Sequence, residues 1–376
     1  MHYNIPVIFG MSLQAGIVGL PNVGKSTIFN ALTESGIPAE NYPFCTIDPN
    51  VGIVEVPDER MAQISQYIKP QKQVFNTIEF VDIAGLVRGA SKGEGLGNQF
   101  LSHIRTVDAI VHVVRCFENS NVTHVEGGLD PIRDIEIIET ELLIRDLESL
   151  EKRLTKATKQ ARTGDKEAIA EKECLEFVIE KVNDGLQLRN IELSENQQKI
   201  LKPLALLTHK PILYVANVDE IEIQSDERGP LAEKLFNYAH ENGCEAIRLC
   251  GNIEMEISTM PMDDRSIFLE EYNLSEPGLF KLIRRAYRLL GLETFFTAGE
   301  KEVRAWTVRQ NTTAPGAAGV IHTDFERGFI KAEIYHFDDL MVHKSEPALK
   351  DAGKIRLEGK NYVVKDGDVI FFKFNV

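Results

Sequence analysis

The stretch Gly19-Leu20-Pro21-Asn22-Val23-Gly24-Lys25-Ser26-Thr27 fits the pattern G-x-x-x-x-G-K-[ST] and joins the apolar run 13–18 to a helical pattern at 28–32. Glycines in such a loop let backbone N–H groups close around phosphates, and the N-terminus of the following helix adds positive potential. Lys25 is then placed to reach the outer phosphates and Ser26 to ligate magnesium. The stretch predicts a nucleoside triphosphate site. The remaining loop residues assigned to it are Asn22, Val23, Gly24 and Thr27.

Length and charge restrict the class of protein. A chain of 376 residues predicts two or three domains. A formal net charge of −15 disfavours a protein coated in basic charge, although a local basic patch stays possible, and we expect no DNA specificity. The five scattered cysteines suggest neither a disulfide framework nor a zinc site. Their scatter favours a reducing cytoplasm. Because no apolar stretch reaches the roughly 20 residues of a membrane span, we expect no membrane contact.

Short β-branched runs alternate with helical patterns in the first part of the chain, which is typical of a mostly parallel sheet covered by helices. The fold class predicted is therefore α/β, with a P-loop nucleotide-binding domain. The predicted strands are 14–20, 51–56, 77–83, 109–116, 211–217 and 246–250.

Between the fourth and fifth of these strands, residues 132–207 contain almost no strand-like sequence, and apolar residues recur at helical spacing. A turn at 163–165 and a second helix at 166–183 predict an inserted antiparallel helical hairpin, and Ser194 begins a capping box. Helices that only cover the sheet are the alternative. After a helix at 278–290 we predict a separate small mixed domain with strands at 303–309, 328–334, 360–364 and 369–374 and a tight turn at Asp366-Gly367.

Two weak signals support the phosphate loop. The strand 77–83 ends in Asp82-Ile83-Ala84-Gly85, where Asp82 is placed to hold magnesium and the Gly85 N–H to meet the γ-phosphate. Thr46 is the plausible switch-loop hydroxyl for the same metal. Taken alone, each signal is as well explained by a turn or a cap. In this order after a phosphate loop, they support one another.

The group that activates water is not evident. Leu86 stands where Ras-like GTPases place a glutamine, so we expect a low intrinsic rate. His124 follows the fourth strand at the edge where ligands bind, and it is a candidate catalytic residue. An exposed loop histidine is the alternative that the sequence favours.

The base motif also departs from the GTP-binding pattern Asn-Lys-x-Asp. The fifth strand ends in Asn217-Val218-Asp219-Glu220, which lacks the lysine and carries a longer carboxylate. Adenine presents an acceptor at ring N1, which a carboxylate aimed there would repel. The residues alone leave ATP and GTP equally open.

The chain resembles the YchF or Obg-like ATPases. The resemblance rests on 19–27, on Asn-Tyr-Pro-Phe-Cys-Thr-Ile at 41–47, on Phe-Val-Asp-Ile-Ala-Gly-Leu-Val at 80–87, on 89–98 and on the altered base motif. It covers essentially everything after Met11. It implies ATP in preference to GTP, with Asn217 and Val218 at the adenine, hydrolysis without the usual glutamine, a coiled-coil hairpin, a C-terminal β-grasp TGS domain, and ribosome association. Asn22 matches an asparagine that related enzymes use to hold potassium, so K⁺ is a possible second cofactor beside Mg²⁺.

A basic stripe near the hairpin tip follows from spacing. Its members recur at steps of three or four residues, so a continuous helix places them on one side. They are Lys152, Lys156, Lys159, Arg162 and Lys166. RNA phosphate is one partner that suits them, and a solvated face paired with neighbouring glutamates is the alternative. The ribosomal resemblance favours RNA.

The domains expected are 1–131 for the first part of the P-loop domain, with 1–11 as an extension, 132–207 for the hairpin, 208–290 for the second part, and 291–376 for the TGS domain. The function expected is a Mg²⁺-dependent ATPase and translation-linked switch. A GTPase with a degenerate base motif, or a nucleotide-regulated ribosome adaptor with incidental turnover, remain the alternatives.

Overall fold

The computed structural model describes residues 13–34, 50–83, 96–118 and 128–375, which fold into two compact units. One unit comprises residues 14–52 and 79–282, and the other comprises 53–78 and 283–375 together with Leu13. The strands are β1 Gln14–Val18, β2 Val51–Glu55, β3 Lys72–Val74, β4 Thr77–Asp82, β5 Ala109–Arg115, β6 Ile212–Asn217, β7 Glu245–Leu249, β8 Leu292–Ala298, β9 Glu302–Arg309, β10 Phe329–His336, β11 Arg356–Glu358 and β12 Asp368–Phe374.

The helices begin directly after the phosphate loop and occupy most of the connections between strands. They are α1 Lys25–Glu34, α2 Glu59–Ile68, α3 Leu96–Thr106, α4 Pro131–Ala161, α5 Lys166–Asn183, α6 Glu195–Leu201, α7 Glu220–Ile223, α8 Pro230–Glu241, α9 Gly251–Thr259, α10 Met262–Glu271, α11 Gly278–Leu289, α12 Ala314–Ile321, α13 Thr323–Arg327, α14 Phe337–His343 and α15 Glu346–Asp351. In the described residues, every helix is too short or too polar to cross a membrane.

The first sheet has the strand order β2-β4-β1-β5-β6-β7. β1 pairs in parallel with β4 and with β5, and β6 pairs in parallel with β5 and with β7. Every residue of β5 and β6 is buried, which explains why these strands read as continuous apolar runs. The parallel pairing brings the carboxyl ends of β1, β4, β5, β6 and β7 to one edge, where ligands bind in open α/β sheets. The predicted α/β class is confirmed.

The predicted helical hairpin is confirmed. α4 starts at Pro131 with Asp130 as its N-cap, and α5 starts after the cap Asp165. Only four residues connect the two helices, and Gly164 adopts φ +81° there, so α5 returns along α4. The two helices share an apolar core that includes Leu150, Ala157, Cys174, Leu175 and Val178. The capping box at Ser194 is also present.

The second sheet has the order β11-β10-β12-β8-β9-β3. β8 and β9 form an antiparallel hairpin, α12 follows, and the last strand β12 lies parallel to β8 in the middle of the sheet. This is the β-grasp arrangement that the family resemblance implies. The expected tight turn before β12 is present, with Gly367 at φ +90°.

Three details of this unit differ from the predicted pattern. The predicted strand 360–364 is wrong, because the strand lies at Arg356–Glu358 and only Val363 forms an isolated bridge, to Thr313. The strand β8 was not predicted. The third detail is the segment 53–78, which contributes β3 beside β9 and the α2 residues Met61 and Ile64 to a core with Phe296, Tyr335 and Val369.

Candidate functional site

The phosphate loop is a tight connection between β1 and α1 that depends on two residues with positive φ. Asn22 adopts φ +63° and Gly24 adopts φ +91°. A Cβ at Gly24 would lie 2.1 Å from the Asn217 side-chain nitrogen, so this position is closed to any larger residue. The amides of the first turn of α1 have no partner within the helix and are available to an anion.

Asn217 holds the loop from the end of β6, which lies two strands away from β1 in the sheet. Its side-chain nitrogen donates to the Val23 carbonyl at 2.9 Å, and its side-chain oxygen accepts from the Gly251 N–H at 2.9 Å. The residue is 4% exposed at the end of β6. Because these bonds engage both ends of the amide, Asn217 ties the phosphate loop to the start of α9.

Lys25 and Asp82 meet in front of the loop. The Lys25 ammonium donates to the Asp82 carboxylate and forms an ion pair with it, and both side chains are largely buried. Lys25 is the first residue of α1, and Asp82 is the last residue of β4. The cation for phosphate and the carboxylate for a metal therefore face each other at the carboxyl edge of the sheet.

A cavity of about 920 Å³ extends from this pair past the base motif. Most of the predicted site residues line it, namely Asn22, Gly24, Lys25, Ser26, Thr27, Asp82, Asn217 and Val218. Val23 is buried instead and contributes through its carbonyl. Thr46, Gly85 and His124 lie outside the described residues, as does Leu86.

The sequence reading missed several lining residues. They follow the carboxyl ends of strands or belong to the loop itself, and they are Leu20, Pro21, Phe117, Glu118, Ile221, Cys250, Gly251 and Asn252. Because the carboxyl ends of parallel strands line such sites, Phe117 after β5 and Cys250 after β7 could have been identified from the predicted strand ends. Neither belongs to a motif, so residue type alone gave no signal.

The two carboxylates of the base motif, Asp219 and Glu220, lie in different surroundings. Asp219 is the N-cap of α7 and accepts from the Glu222 N–H at 2.8 Å. Glu220 is exposed at the first position of α7 and lines the cavity. Val218, in place of the lysine, is 2% exposed. Ile221 is 83% exposed, so an apolar side chain and the Glu220 carboxylate lie next to each other in this wall.

Burial raises the pKa of two groups near the cavity, the Cys250 thiol and the Glu254 carboxyl. Burial raises the pKa of the Cys250 thiol, which argues against a thiolate nucleophile. Burial also raises the pKa of Glu254 on α9 to about 7, although the Leu279 and Gly278 N–H groups donate to it and oppose the rise. Glu254 therefore caps the start of α11 and does not face the cavity.

The basic stripe of the hairpin is exposed, but it does not lie on one continuous helix as the prediction required, because α4 ends at Ala161, Arg162 lies in the turn and Lys166 begins α5. Lys152, Lys156, Lys159, Arg162 and Lys166 all lie at the surface, and none forms an ion pair with another described residue. Glu148, which the alternative reading pairs with the stripe, pairs with Arg145 at 2.8 Å. Pairing within the helix therefore does not neutralise these cations.

Comparisons with known proteins agree with this architecture. A family model described as "50S ribosome-binding GTPase" matches residues 14–144, and the model for the YchF GTPase C-terminal region, described as a protein of unknown function, matches 292–375. The solved structure of the Schizosaccharomyces pombe YchF GTPase is 40% identical, with a TM-score of 0.86, and the match covers 96% of this chain and 98% of that one. A GTP-binding protein from Pyrococcus horikoshii, at 21% identity and a TM-score of 0.61, shares the fold.

Curated relatives match over nearly the whole chain. The ribosome-binding ATPase YchF of Bacillus subtilis is 54% identical over 97% of this chain and 100% of its own length. The protein of the same name from Escherichia coli O157:H7 is 50% identical over the same shares. Identity at this level across both units, together with the braced phosphate loop and the altered base motif, shows that the chain belongs to the YchF family.

Proposed function

We propose that this protein is a Mg²⁺-dependent ATPase that associates with ribosomes in the cytoplasm and changes its affinity for them with the bound nucleotide. The observation that carries the proposal is the cavity in which Lys25, Ser26 and Asp82 meet in front of a loop braced by Asn217. The names of the curated relatives support both the ATPase activity and the ribosomal partner.

The first-turn amides of α1, Lys25 and Asn217 have separate roles in holding the triphosphate. The first-turn amides of α1 and the Lys25 ammonium bind the β- and γ-phosphates. Asn217 keeps the loop closed, because it fixes the Val23 carbonyl and the start of α9 together. In the free protein Asp82 neutralises Lys25, and the triphosphate takes over that role when it binds.

The donor set in the cavity fits magnesium. Hydroxyl and carboxylate oxygens are the ligands that this ion prefers, and it keeps several sites for waters and phosphates. Ser26 and Asp82 supply one of each, and Thr46 is proposed as a further hydroxyl. Among the described residues no cluster of three or more histidine, cysteine or acidic side chains could hold a metal alone, which suits an ion that arrives with the nucleotide. When bound, magnesium neutralises charge on the β- and γ-phosphates.

Adenine suits the base end of the cavity better than guanine. Asp219 is committed to capping α7, and among the described residues Glu220 has no hydrogen bond or ion pair that aims it at a base. Val218 replaces the charged lysine with a buried apolar side chain, and the exposed Ile221 offers an apolar surface beside it. Competition of unlabelled ATP and GTP for a fluorescent ATP analogue, with Mg²⁺ present, tests this choice. A higher affinity for GTP would instead favour a GTPase with a degenerate base motif.

Turnover is proposed to be slow without a partner, because Leu86 replaces the water-orienting glutamine of Ras-like enzymes. The Gly85 N–H and His124 remain the proposed contributors at the γ-phosphate. Asn22 is proposed to hold K⁺ beside the phosphates. A steady-state hydrolysis assay in potassium and in sodium buffer, with and without ribosomes, tests both points. Equal rates in all four conditions would remove the K⁺ and activation proposals.

The basic stripe is proposed to contact ribosomal RNA, with the terminal domain as a second contact. Charge reversal of Lys156, Lys159 and Arg162 should weaken ribosome co-sedimentation and flatten its salt dependence by about one unit of slope for each lost phosphate contact, while ATP hydrolysis stays unchanged. Reversal of three basic residues outside the stripe, Lys199, Lys202 and Lys234, is the matched control, because these are also exposed and form no ion pair with a described residue. Equal loss in both triple variants would contradict a role for the tip.

A switch and an adaptor differ in one measurable quantity. A switch requires different ribosome affinities in the ATP, ADP and nucleotide-free states, because a ligand moves an equilibrium only by its differential affinity. Co-sedimentation in the three states measures this difference. Equal affinity in all three would favour an adaptor with incidental turnover.

A further inference from the structure

Helix α10 has an outer side that no part of the described chain covers. None of its ten residues is buried. The half-buried residues on its inner side are Arg265, Phe268 and Leu269, of which Arg265 donates to the Met260 carbonyl at 3.1 Å and to the Ser258 carbonyl at 3.2 Å. On the outer side, Met262 is 79% exposed and Ile267 is 68% exposed.

Four carboxylates surround Ile267. Residues three and four positions apart are neighbours on a helix surface. Asp263 and Asp264 precede Ile267 by four and three residues, and Glu270 and Glu271 follow it by three and four. All four are exposed, and none forms an ion pair with a described residue. We call this surface, made of Met262, Asp263, Asp264, Ile267, Glu270 and Glu271, the α10 face.

We propose that the α10 face is a docking surface for a basic polypeptide segment that carries an apolar anchor residue. The exposed isoleucine supplies an apolar contact at the centre, and the ring of carboxylates supplies charge complementarity around it, the arrangement of an interface with an apolar centre and a polar rim. This site is separate from the basic stripe, whose charge is of the opposite sign.

The charge of the α10 face decides between possible occupants. Nucleic acid phosphate is repelled by four unpaired carboxylates. A second copy of this chain, with a net charge of −15, would bring the same carboxylates together across a twofold axis. A cationic segment neutralises the ring, and its apolar side chain covers Ile267. The occupant is therefore a basic peptide or the basic extension of another protein.

Fluorescence anisotropy with a labelled peptide of four basic residues around one leucine tests the proposal on the full-length protein. Ile267→Ser should weaken binding about fivefold or more, because the apolar contact is lost. Asp263→Asn with Glu271→Gln should weaken it about tenfold at low salt and remove much of its salt dependence. A peptide with glycine in place of leucine should bind the native protein as weakly as the intact peptide binds the Ile267→Ser variant.

The control removes the same charge elsewhere. Glu173→Gln with Glu241→Gln removes the same two negative charges but leaves the α10 face intact, so peptide affinity should stay within twofold. Unchanged ATP binding in every variant verifies folding. Equal affinity for the native and Ile267→Ser proteins, or no saturable peptide binding, overturns the proposal. The proposal is also overturned if sedimentation velocity shows a dimer that Ile267→Ser abolishes, or if the protein binds an RNA oligonucleotide and Ile267→Ser abolishes that binding.

Discussion

The buried carboxylate of Glu139 provides the sharpest test of how the hairpin is attached to the nucleotide-binding sheet. Glu139 lies on α4 and is 4% exposed. It accepts from the Tyr214 hydroxyl of β6 at 2.5 Å and from the Tyr238 hydroxyl of α8 at 2.8 Å, and it pairs with Arg189. A fourth bond comes from the Gln187 side chain at 3.3 Å. One carboxylate therefore joins α4 to β6, to α8 and to the segment after α5.

We expect Glu139→Gln to lower the free energy of unfolding by roughly 3–5 kcal/mol. Removing one partner leaves the Arg189 cation, 9% exposed, without a buried counter-charge, which costs about this amount. The glutamine amide also has one acceptor oxygen where the carboxylate has two, so a donor loses its partner, at about 1–3 kcal/mol. These contributions overlap because they belong to one network, so they are not summed.

Urea denaturation followed by circular dichroism measures the loss, and hydrogen exchange locates it in α4 and β6. Trp306, the single tryptophan, lies in the other compact unit, so its fluorescence serves as an internal control that should change less. Glu148→Gln, which removes an exposed pair with Arg145, should cost less than about 1 kcal/mol. The double variant Glu139→Gln, Arg189→Met should recover part of the loss. A Glu139→Gln protein within about 0.5 kcal/mol of the native one would refute this reasoning.

Three further outcomes follow from the site and its surroundings. Gly24→Ala should weaken ATP binding at least about tenfold in calorimetry, because a Cβ would lie 2.1 Å from the Asn217 nitrogen at φ +91°, whereas Gly185→Ala, with nothing within 4 Å, should leave binding unchanged. Burial and the Arg189 charge lower the pKa of His112 to about 3, so below about pH 6.5 the unfolded chain binds a proton at this residue that the folded chain does not. The free energy of unfolding should therefore fall by up to about 1.4 kcal/mol for each pH unit between about 6.5 and about 3. His112→Phe should make the stability depend less steeply on pH than in the native protein, and an unchanged slope would contradict the buried neutral imidazole. Glu254, whose raised pKa makes the fold more stable as the pH falls from about 7 to 4.5, contributes equally to both proteins and cancels in this comparison. Asn217→Ala should weaken ATP and GTP binding alike if the residue acts as a brace, and a loss confined to ATP would point instead to direct reading of adenine.

Local patterns were enough to predict the sheet that carries the site. The six predicted strands of the first sheet end within two residues of β1, β2, β4, β5, β6 and β7. The clearest of them are β5 and β6, because strands buried along their whole length read as continuous apolar runs. α5 matches the predicted helix at 166–183, since Asp165 and Gly185 mark its ends. The phosphate loop was found because its chemistry requires a fixed spacing.

Long-range features were beyond the sequence. Strand β3 has only three residues, and its partner β9 lies more than 200 residues away, so no local signal marks it. The positions of Phe117 and Ile221 in the wall of the cavity are set by the order of strands. Asn217 was assigned to the base from a resemblance, and its bonds to Val23 and Gly251 became visible only in three dimensions.

The placement of residues 53–78 has a consequence during synthesis. Met61 and Ile64 find their core partners Phe296, Tyr335 and Val369 only when nearly the whole chain exists. At about 5–20 residues per second, translation from residue 78 to the last strand takes roughly 15 to 60 s. For that time this early segment carries uncovered apolar side chains, and a chain cut at residue 291 would carry them permanently.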